Sequence, residues 1–309
     1  MPRLTTKHLR GQVIKARSGF FDVQTSEGVI QCRMRGRLKK VRQSADIAVV
    51  GDWVNISISP DGGASLESVE ARRTLFSRRQ PGPRGKWKED VIVANLDTLL
   101  IVFACKSPAF NPRMLDRFLV IAEHQQIEPI IIGNKIDLDE DGEVQRQFEA
   151  YASIGYAVHY TSVPAGIGID SLKLRLADKT SAFAGASGVG KSSLMMAIEP
   201  SLELRVAEVS SSHSKGRHTT RAAELHPLAI GGYLVDTPGI REIGTWALPE
   251  TELAFCFPEM RPHVGTCRFG DCSHLREPDC AIQSAVANGE ITAERYESYA
   301  RLFAGDDED

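Results

Sequence analysis

The sequence predicts a multidomain α/β protein with an N-terminal β-barrel, a central α/β domain and a mostly helical C-terminal domain. Three observations lead to this prediction. Short β-rich segments occupy residues 12–70, apolar runs alternate with helical patterns over residues 91–244, and a Cys/His cluster follows among helical segments. A chain of 309 residues is long enough to bury two or three separate cores.

Five short β-rich segments predict the barrel. They are Gln12–Ala16, Phe20–Thr25, Val29–Met34, Val49–Ile58 and Ser65–Val69. Five strands in about sixty residues fit a small closed barrel, for which the OB-fold is the usual RNA-binding form. We place this domain at residues 1–72. Residues 73–90 carry two prolines and scattered basic side chains without periodicity, so we interpret them as a linker.

The N-terminal part of the chain is basic, although the whole protein is slightly acidic. Residues 1–90 hold 18 Lys and Arg against 9 Asp and Glu, whereas the remainder has a net charge of −12, which gives −3 overall. Six basic residues, Arg33, Arg35, Arg37, Lys39, Lys40 and Arg42, crowd one segment of the barrel. Alternate arginines of a strand share a face, which favours RNA binding over the alternative of a solvated edge strand.

Residues 91–244 predict a doubly wound α/β domain. Thr98–Ala104 and Pro129–Gly133 are apolar throughout, as in parallel strands buried on both faces, and helical spacing separates them at Arg113–Gln125. The alternation continues through a helix at Gly142–Ser153, a strand at Ala157–Thr161, a helix at Ile169–Asp178 and a strand at Ser181–Ala184. Such alternation of strands and helices is typical of a sheet covered on both faces.

A phosphate-binding loop follows the last of these strands. Residues 185–192 match the pattern G-x-x-x-x-G-K-[ST], and a predicted helix at Ser192–Ile198 follows, so a chance glycine-rich turn is the weaker interpretation. Loop amides, the Lys191 ammonium and the helix N-terminus would hold the phosphates, and Ser192 would ligate Mg²⁺. The predicted nucleotide-binding residues here are Gly185, Ala186, Ser187, Gly188, Val189, Gly190, Lys191, Ser192 and Ser193.

A second phosphate-side motif is Asp236-Thr-Pro-Gly239, which comes after the apolar strand Tyr233–Val235. We expect Asp236 to reach Mg²⁺ and the amide of Gly239 to contact the γ-phosphate. Thr219 or Thr220, in a polar segment before this strand, is a candidate to complete the Mg²⁺ site. The tetrapeptide is a common turn sequence by itself, but its pairing with the phosphate loop supports a nucleotide site.

Guanine specificity is predicted at the ends of two other strands. Asn134-Lys135-Ile136-Asp137 ends one strand, where Asp137 would accept hydrogen bonds from guanine N1–H and the 2-amino group. Adenine offers neither donor, so ATP would leave the carboxylate unpaired. Asn134 and Lys135 would support the loop and cover the base, and Thr161-Ser162 would present an amide to guanine O6. A polar loop without ligand is the alternative for the tetrapeptide alone.

The order of these motifs indicates a circularly permuted P-loop GTPase domain. Ordinary GTPases place the phosphate loop first, whereas here the guanine motifs precede it. A permuted sheet still forms if the original termini lie close together. The Asp236–Gly239 switch then leads directly into the C-terminal domain, so we expect nucleotide exchange to move that domain.

The catalytic residues are the least constrained part of the site. Ile240 stands where many GTPases carry a water-orienting Gln, and a branched aliphatic chain cannot orient water. We predict Lys191 and His218 as catalytic residues, although His218 has the alternative of a solvated loop histidine. Either hydrolysis is slow until a partner helps, or another residue orients the water. A nucleotide-gated RNA-binding scaffold with negligible turnover is a rival interpretation of the whole chain.

The C-terminal domain, residues 245–309, is predicted to bind zinc. Cys267, Cys272, His274 and Cys280 supply three thiolates and one imidazole, a complete tetrahedral set without an open position, so we expect a structural ion. Buried thiols beside a surface histidine are the alternative, and His263 is a substitute ligand that we do not favour. Cys32, Cys105 and Cys256 occur singly and are expected in cores.

Taken together, these motifs resemble the bacterial small ribosomal subunit biogenesis GTPases, also called ribosome-dependent circularly permuted GTPases. The likeness covers nearly the whole chain and includes Gly51–Val54, Ala94–Asp97 and Gly216–Thr220 besides the motifs above. It implies an OB-fold, a GTPase domain and a zinc domain that act on the small ribosomal subunit and its rRNA in late maturation. A switch that acts on a protein partner away from RNA is a rival.

The sequence also predicts where such a protein would act. The N-terminus lacks the apolar run of a signal peptide, and no apolar stretch of about 18 residues could span a bilayer. We therefore expect a soluble, cytoplasmic protein that needs Mg²⁺ with GTP and one structural Zn²⁺. A monomer is the expected oligomeric state.

Overall fold

The computed structural model describes residues 6–17, 19–34, 48–81, 87–202, 223–236 and 249–305. Its strands are β1 (Lys7–Arg17), β2 (Phe20–Thr25), β3 (Gly28–Met34), β4 (Trp53–Ile58), β5 (Ala64–Val69), β6 (Leu75–Pro81), β7 (Trp87–Ala94), β8 (Thr98–Ala104), β9 (Glu128–Asn134), β10 (Ala157–Thr161), β11 (Thr180–Ala184), β12 (Glu224–Pro227) and β13 (Tyr233–Asp236). Its α-helices are α1 (Pro112–His124), α2 (Glu143–Ser153), α3 (Ile169–Leu176), α4 (Lys191–Ile198), α5 (Glu250–Leu253), α6 (Ala281–Ala287) and α7 (Ala293–Phe303).

The chain divides into two compact units. The first unit comprises Met1–Thr98, Asp170–Phe183 and Ser192–Arg241, and the second comprises Leu99–Ile169, Ala184–Lys191 and Glu242–Asp309. Each unit draws on more than one predicted domain. The boundaries predicted at residues 72, 90 and 244 therefore stay a prediction.

The first unit contains a closed five-stranded barrel. Strands β1, β2 and β3 form an antiparallel meander, β4 pairs with both β1 and β5, and a parallel pairing of β3 with β5 closes the ring. Val13, Val23, Val54, Ile56 and Leu66 are fully buried inside it. Side chains of β2 alternate between exposed and buried, the period of two expected for a strand with one face on a core. The predicted barrel is confirmed.

Strands β6 and β7 pair with each other, whereas the sequence led us to expect an irregular linker. The antiparallel pairing runs from Leu75↔Ala94 to Pro81↔Trp87. This strand pair is attached to the barrel through the backbone, because the N–H of Ala94 donates to the carbonyl of Val50 at 2.9 Å. Gly51 has φ +91°, and a Cβ there would lie 2.0 Å from the carbonyl oxygen of Ala94, so only glycine fits this close approach.

The remaining strands of the first unit extend the barrel sheet. Strand β11 pairs parallel with β13, and the short strand β12, absent from the sequence prediction, pairs antiparallel with β13. The pairing Lys15↔Glu224 joins β12 to β1, and the Lys15 ammonium forms an ion pair with the Glu224 carboxylate at 2.6 Å. The barrel and these α/β strands are therefore continuous through backbone hydrogen bonds.

The second unit holds strands β8, β9 and β10 together with helices α1 and α2. Strand β9 lies between β8 and β10 and runs parallel to β10. All seven residues of β8 are buried, as the apolar run predicted. Asn111 caps the N-terminus of helix α1, because its side chain accepts hydrogen bonds from the amides of Arg113 and Met114. The helix buries Leu115, Phe118 and Leu119. The predicted α/β class is confirmed.

The C-terminal part of the second unit is mostly helical, as predicted. A short 3₁₀ turn (Ala254–Cys256) follows α5, and Phe257, Met260, Ile282 and Tyr299 form the centre of its core. Among the described residues, no helix combines the length and apolar character needed to cross a membrane.

A buried ion network joins this helical part to the α/β part of the same unit. The Arg295 guanidinium of α7 donates to Asp116 of α1 at 2.5 Å and to Glu259 at 2.6 Å, and the Tyr151 hydroxyl of α2 also donates to Asp116 at 2.9 Å. Burial alone would lower the pKa of Arg295, but the carboxylates of Asp116 and Glu259 raise it, so the guanidinium stays charged.

Candidate functional site

The predicted phosphate loop connects β11 to α4 and depends on its glycines. Gly185, Gly188 and Gly190 have φ values of +127°, +81° and +100°, a region that favours glycine. A Cβ at Gly185 would lie 2.2 Å from the carbonyl oxygen of Val102, and one at Gly190 would lie 2.3 Å from the amide nitrogen of Asn134. The loop can therefore pack this closely only with glycine at both positions.

Lys191 folds back onto the loop that precedes it. Its ammonium donates to the carbonyl oxygens of Gly185 at 2.6 Å and Ala186 at 2.5 Å. These carbonyls are neutral acceptors, and a phosphate oxygen is a charged one that makes shorter and stronger hydrogen bonds. The arrangement keeps the ammonium at the loop before any nucleotide arrives.

Asn134 connects the guanine motif to the phosphate loop. Its amide nitrogen donates to the carbonyl of Val189 at 2.8 Å, and its amide oxygen accepts from the Thr161 hydroxyl at 3.0 Å. The side chain is almost fully buried at the end of β9. Three predicted nucleotide-binding segments, residues 134–137, 161–162 and 185–191, therefore meet at one amide group.

Lys135 and Asp137 belong to the predicted guanine motif that follows β9. Lys135 has φ +60°, and its ammonium donates to the carbonyls of Ser107 at 2.5 Å and Gly188 at 2.8 Å, so its stem lies against the phosphate loop. Asp137 lies in a 3₁₀ turn (Ile136–Leu138) with its carboxylate exposed. Ser162 is buried, and its backbone pairs with Ile167 in both directions at 3.0 Å.

The other predicted nucleotide ligands lie in the phosphate loop, at the start of α4, at the end of β13, or outside the described residues. Ser187 and Gly188 are exposed in the loop, as are Ser192 and Ser193 at the start of α4. Ser192, Ser193 and Asp236 belong to the first unit, and Asp236 ends β13. Gly239, His218, Thr219, Thr220 and Ile240 lie outside the described residues, so their predicted roles stay predictions.

Arg33 is the one residue of the predicted basic stripe within the described part of the chain. It lies exposed on β3, and its guanidinium is 4.8 Å from the centre of the Phe20 ring, which is 37% exposed. A cation over an exposed aromatic face is one arrangement that can stack on a nucleic acid base. Arg35, Arg37, Lys39, Lys40 and Arg42 lie outside the described residues.

The Cys/His cluster has the dimensions of a tetrahedral metal site. The ligand atoms of Cys267, Cys272, His274 and Cys280 all lie within 4.8 Å of one another. Nδ1 of His274 is 3.4 Å from Sγ of Cys267 and 3.6 Å from Sγ of Cys280, and these two sulfurs are 3.9 Å apart. Zinc bond lengths in a tetrahedron require about 3.6 Å between nitrogen and sulfur and about 3.8 Å between sulfurs.

The chemistry of the four groups also fits a cation. The 3.9 Å between Cys267 and Cys280 is nearly twice a disulfide bond of about 2.05 Å, and all three cysteines are free. Burial lowers the pKa of His274, which keeps the imidazole neutral and able to ligate. Burial, and after it the neighbouring thiols, raises the pKa of Cys272 to about 12, so ionisation requires a positive charge nearby.

His263, the substitute ligand, lies outside the cluster. Its Nε2 is 3.6 Å from a carboxylate oxygen of Glu290, and the metal-binding group found among the described residues does not include it. The preference for His274 over His263 agrees with this geometry.

Sequence reasoning missed two polar contacts that shape these sites. The carbonyl oxygen of Ser107 accepts a hydrogen bond from the Lys135 ammonium, although Ser107 belongs to no nucleotide motif. Glu277 accepts four hydrogen bonds from the loop that carries His274. A glutamate in a short polar loop cannot be recognised from the sequence as a loop-fixing residue, because three of its four donors are backbone amides, which carry no sequence pattern.

Comparison with known proteins gives the same arrangement over nearly the whole chain. The family model described as RsgA GTPase matches residues 69–246, and the RsgA N-terminal domain matches residues 10–65. The small ribosomal subunit biogenesis GTPase RsgA of Gemmatimonas aurantiaca is 43% identical over 96% of this chain and 97% of its own. Its counterpart from Caldanaerobacter subterraneus subsp. tengcongensis is 39% identical over 96% and 95%.

Solved structures show the same likeness. YjeQ from Thermotoga maritima is 34% identical, has a TM-score of 0.78 and covers 97% of this chain and 99% of its own. YloQ, a circularly permuted GTPase, is also 34% identical, with a TM-score of 0.76 and coverage of 99% and 97%. The family match spans more than half of the chain, and these relatives exceed 30% identity over nearly all of it. The chain therefore belongs to the RsgA GTPase family.

Proposed function

We propose that this protein hydrolyses GTP to GDP and phosphate on the small ribosomal subunit, as a factor in the biogenesis of that subunit. The observation that carries the guanine-nucleotide part is the amide of Asn134, which joins the guanine motif, the Thr161 segment and the phosphate loop. The relatives named small ribosomal subunit biogenesis GTPase support the ribosomal part. The bacterial cytoplasm is the corresponding place of action.

Asp137 is the proposed guanine-recognition residue. Its exposed carboxylate can accept from N1–H and the 2-amino group together, while adenine would leave both oxygens unpaired. Lys135 and Asn134 act by holding the loop, since both are already hydrogen-bonded to the phosphate loop. A backbone amide of the segment Thr161-Ser162 would meet guanine O6.

The phosphates would be held by the amides of residues 185–193 and by Lys191. On binding, the ammonium would exchange its two carbonyl acceptors for phosphate oxygens, where charge develops during hydrolysis. Ser192, Asp236 and either Thr219 or Thr220 would hold Mg²⁺, and the Gly239 amide would contact the γ-phosphate. Mg²⁺ neutralises charge on the β- and γ-phosphates when it is bound.

Attack by water needs a group that Ile240 cannot provide. His218 is the proposed water-positioning residue, and its segment would be ordered by the ribosome. Slow hydrolysis away from the subunit follows from this assignment. A scaffold with negligible turnover is the competing interpretation, which Ile240 would favour.

The C-terminal cluster would hold one structural Zn²⁺ through Cys267, Cys272, His274 and Cys280. Its interatomic distances and its neutral imidazole support this assignment. The basic barrel face, from Arg33 through Arg42, is proposed to bind rRNA, with an affinity that falls steeply as salt rises. A monomer is the proposed state of the protein.

The exchange Asp137→Asn tests the guanine assignment. An asparagine amide is complementary to xanthine, whose 2-oxygen accepts where guanine donates, so we expect preference to move from GTP to XTP. GTP turnover should fall by about 10²–10⁴-fold, measured beside XTP turnover. Asp141→Asn removes an equally exposed carboxylate from the same loop and should change neither rate. Unaltered GTP preference in Asp137→Asn would contradict the assignment.

A further inference from the structure

The loop that carries His274 is shaped by one glutamate. We call residues 273–277 the metal loop. One oxygen of the Glu277 carboxylate accepts from the amide of Ser273 at 3.0 Å and from its hydroxyl at 2.6 Å. The other oxygen accepts from the amides of Leu275 at 3.2 Å and Arg276 at 3.1 Å. The carboxylate therefore fastens the loop on both sides of His274.

His274 adopts a backbone conformation that needs such support. Its φ is +63°, in the left-handed region that a residue with a Cβ rarely occupies, and its side chain is buried. Its carbonyl accepts from the Tyr296 hydroxyl at 2.7 Å and from the Gln283 amide at 3.2 Å. The Tyr299 hydroxyl donates to the carbonyl of Ser273 at 2.9 Å. Helix α7 thus holds the metal loop through the loop's carbonyl groups, whereas Glu277 holds it through N–H and hydroxyl groups.

This conformation delivers one ligand atom to the cluster. It brings Nδ1 of His274 within 3.4 Å of Sγ of Cys267 and 3.6 Å of Sγ of Cys280. The backbone conformation of His274 therefore sets the position of a metal ligand.

We propose that Glu277, Tyr296 and Tyr299 are positioning residues that hold His274 in its ligating orientation and so determine how long the metal stays bound. Groups around metal ligands commonly change metal affinity by about 10–100-fold when they are removed. In many sites they act on the second ring nitrogen of a histidine, whereas here they act on the backbone of the ligand and of its neighbour. This inference rests on the proposed zinc site.

The test measures zinc transfer from the full-length protein to an excess of a chromogenic chelator. Glu277→Gln keeps the side-chain size but places an amide N–H₂ against backbone N–H groups, so transfer should be at least about tenfold faster than in the parent protein. Glu290→Gln, a carboxylate of the same helical part paired with His263, is the matched control and should transfer zinc at the parent rate. Tyr296→Phe, which removes one hydroxyl and keeps the ring, should show an intermediate increase.

A second readout separates positioning from general loss of structure. After replacement of zinc by Co²⁺, the ligand-field absorption of a three-sulfur, one-nitrogen site should change in Glu277→Gln and stay unchanged in Glu290→Gln. Parent protein that contains no zinc by elemental analysis would overturn the zinc assignment itself. Zinc in the parent protein, with equal transfer rates and Co²⁺ spectra in all variants, would overturn the positioning role alone.

Discussion

The second unit contains two polar clusters that achieve order in opposite ways. Around Asn134, N–H and ammonium donors meet carbonyl and hydroxyl oxygens, and Lys135 and Lys191 are already paired with carbonyls of the phosphate loop. In the Cys/His cluster, three sulfurs and one ring nitrogen face one another within 4.8 Å. The first cluster balances donors against acceptors, whereas the second collects electron-pair donors.

The difference implies that the cluster around Asn134 is ordered before a ligand binds, whereas the Cys/His cluster becomes ordered when it binds a metal ion. Buried polar groups that find partners within the protein do not need a ligand to stay folded. Grouped thiols ionise together only when a cation joins them, so metal binding and folding are coupled. We therefore expect nucleotide removal to leave the guanine motif in place and metal removal to disturb residues 249–305.

The largest effect should follow removal of the metal. Extraction of zinc with a chelator should cost the helical part a large share of its stability, because structural sites contribute up to about 10–16 kcal/mol. Hydrogen exchange should rise across residues 249–305, while β8 and β9 stay protected. Equal protection of the helical part before and after extraction would show that the cluster needs no cation.

Lys191→Met should produce the next largest effect, and it should act mainly on turnover. Loss of a preorganised charge at the phosphates should lower GTP turnover by about 10³-fold. Folding should change less than turnover, because the Asn134 amide also holds this loop, through its hydrogen bond to the carbonyl of Val189. Turnover and the thermal midpoint are measured on the same sample, and a large fall in the midpoint would contradict the separation.

Arg295→Met should be costly to stability because it leaves two buried carboxylates without their cation. Asp116 and Glu259 are both 5% exposed, and removal of one partner from a buried pair costs about 3–5 kcal/mol. Arg113→Met is the control, since its pair with Glu297 joins the same two helices but is exposed and should contribute less than about 1 kcal/mol. Urea unfolding measures both, and equal losses would refute the network's role.

Asn134→Ala should cause a smaller loss of stability, confined to the cluster around Asn134. The substitution leaves the Val189 carbonyl and the Thr161 hydroxyl without their partner, a cost of about 1–3 kcal/mol. GDP affinity should fall while zinc content stays at one ion. Asn55→Ala, which removes an exposed amide on the barrel, should leave GDP affinity unchanged. A normal GDP affinity in Asn134→Ala would mean that the loops are ordered independently.

Much of this architecture could be predicted because its signals are local. The apolar run Thr98–Ala104 coincides with β8, and the segments Phe20–Thr25 and Ala157–Thr161 coincide with β2 and β10. The spacing of the three cysteines and His274 predicted a four-ligand metal site, and the fold brings these four side chains together. Each of these signals depends on burial or on ligand chemistry within a short segment.

The missed features depend on partners distant in sequence or on backbone atoms. Apolar and polar residues are grouped rather than alternating along β6 and β7, so no period of two in the sequence indicated their pairing. Arg295 and Asp116 form their ion pair across a separation of 179 residues, and no local sequence pattern around either residue predicts the pairing. Glu277 acts on amides, which every residue carries. Contacts between residues distant in sequence and hydrogen bonds to backbone atoms are therefore the features that could not be predicted from the sequence.

Stimulation of hydrolysis by the small ribosomal subunit is measured as GTP turnover by the purified protein with and without small subunits. Large subunits at the same concentration serve as the control for nonspecific stimulation by RNA. We predict slow turnover of the protein alone, many-fold stimulation by small subunits and none by large subunits, because Ile240 leaves water positioning to an external partner. An unchanged slow rate with small subunits would contradict ribosome-stimulated hydrolysis and favour a nucleotide-gated scaffold.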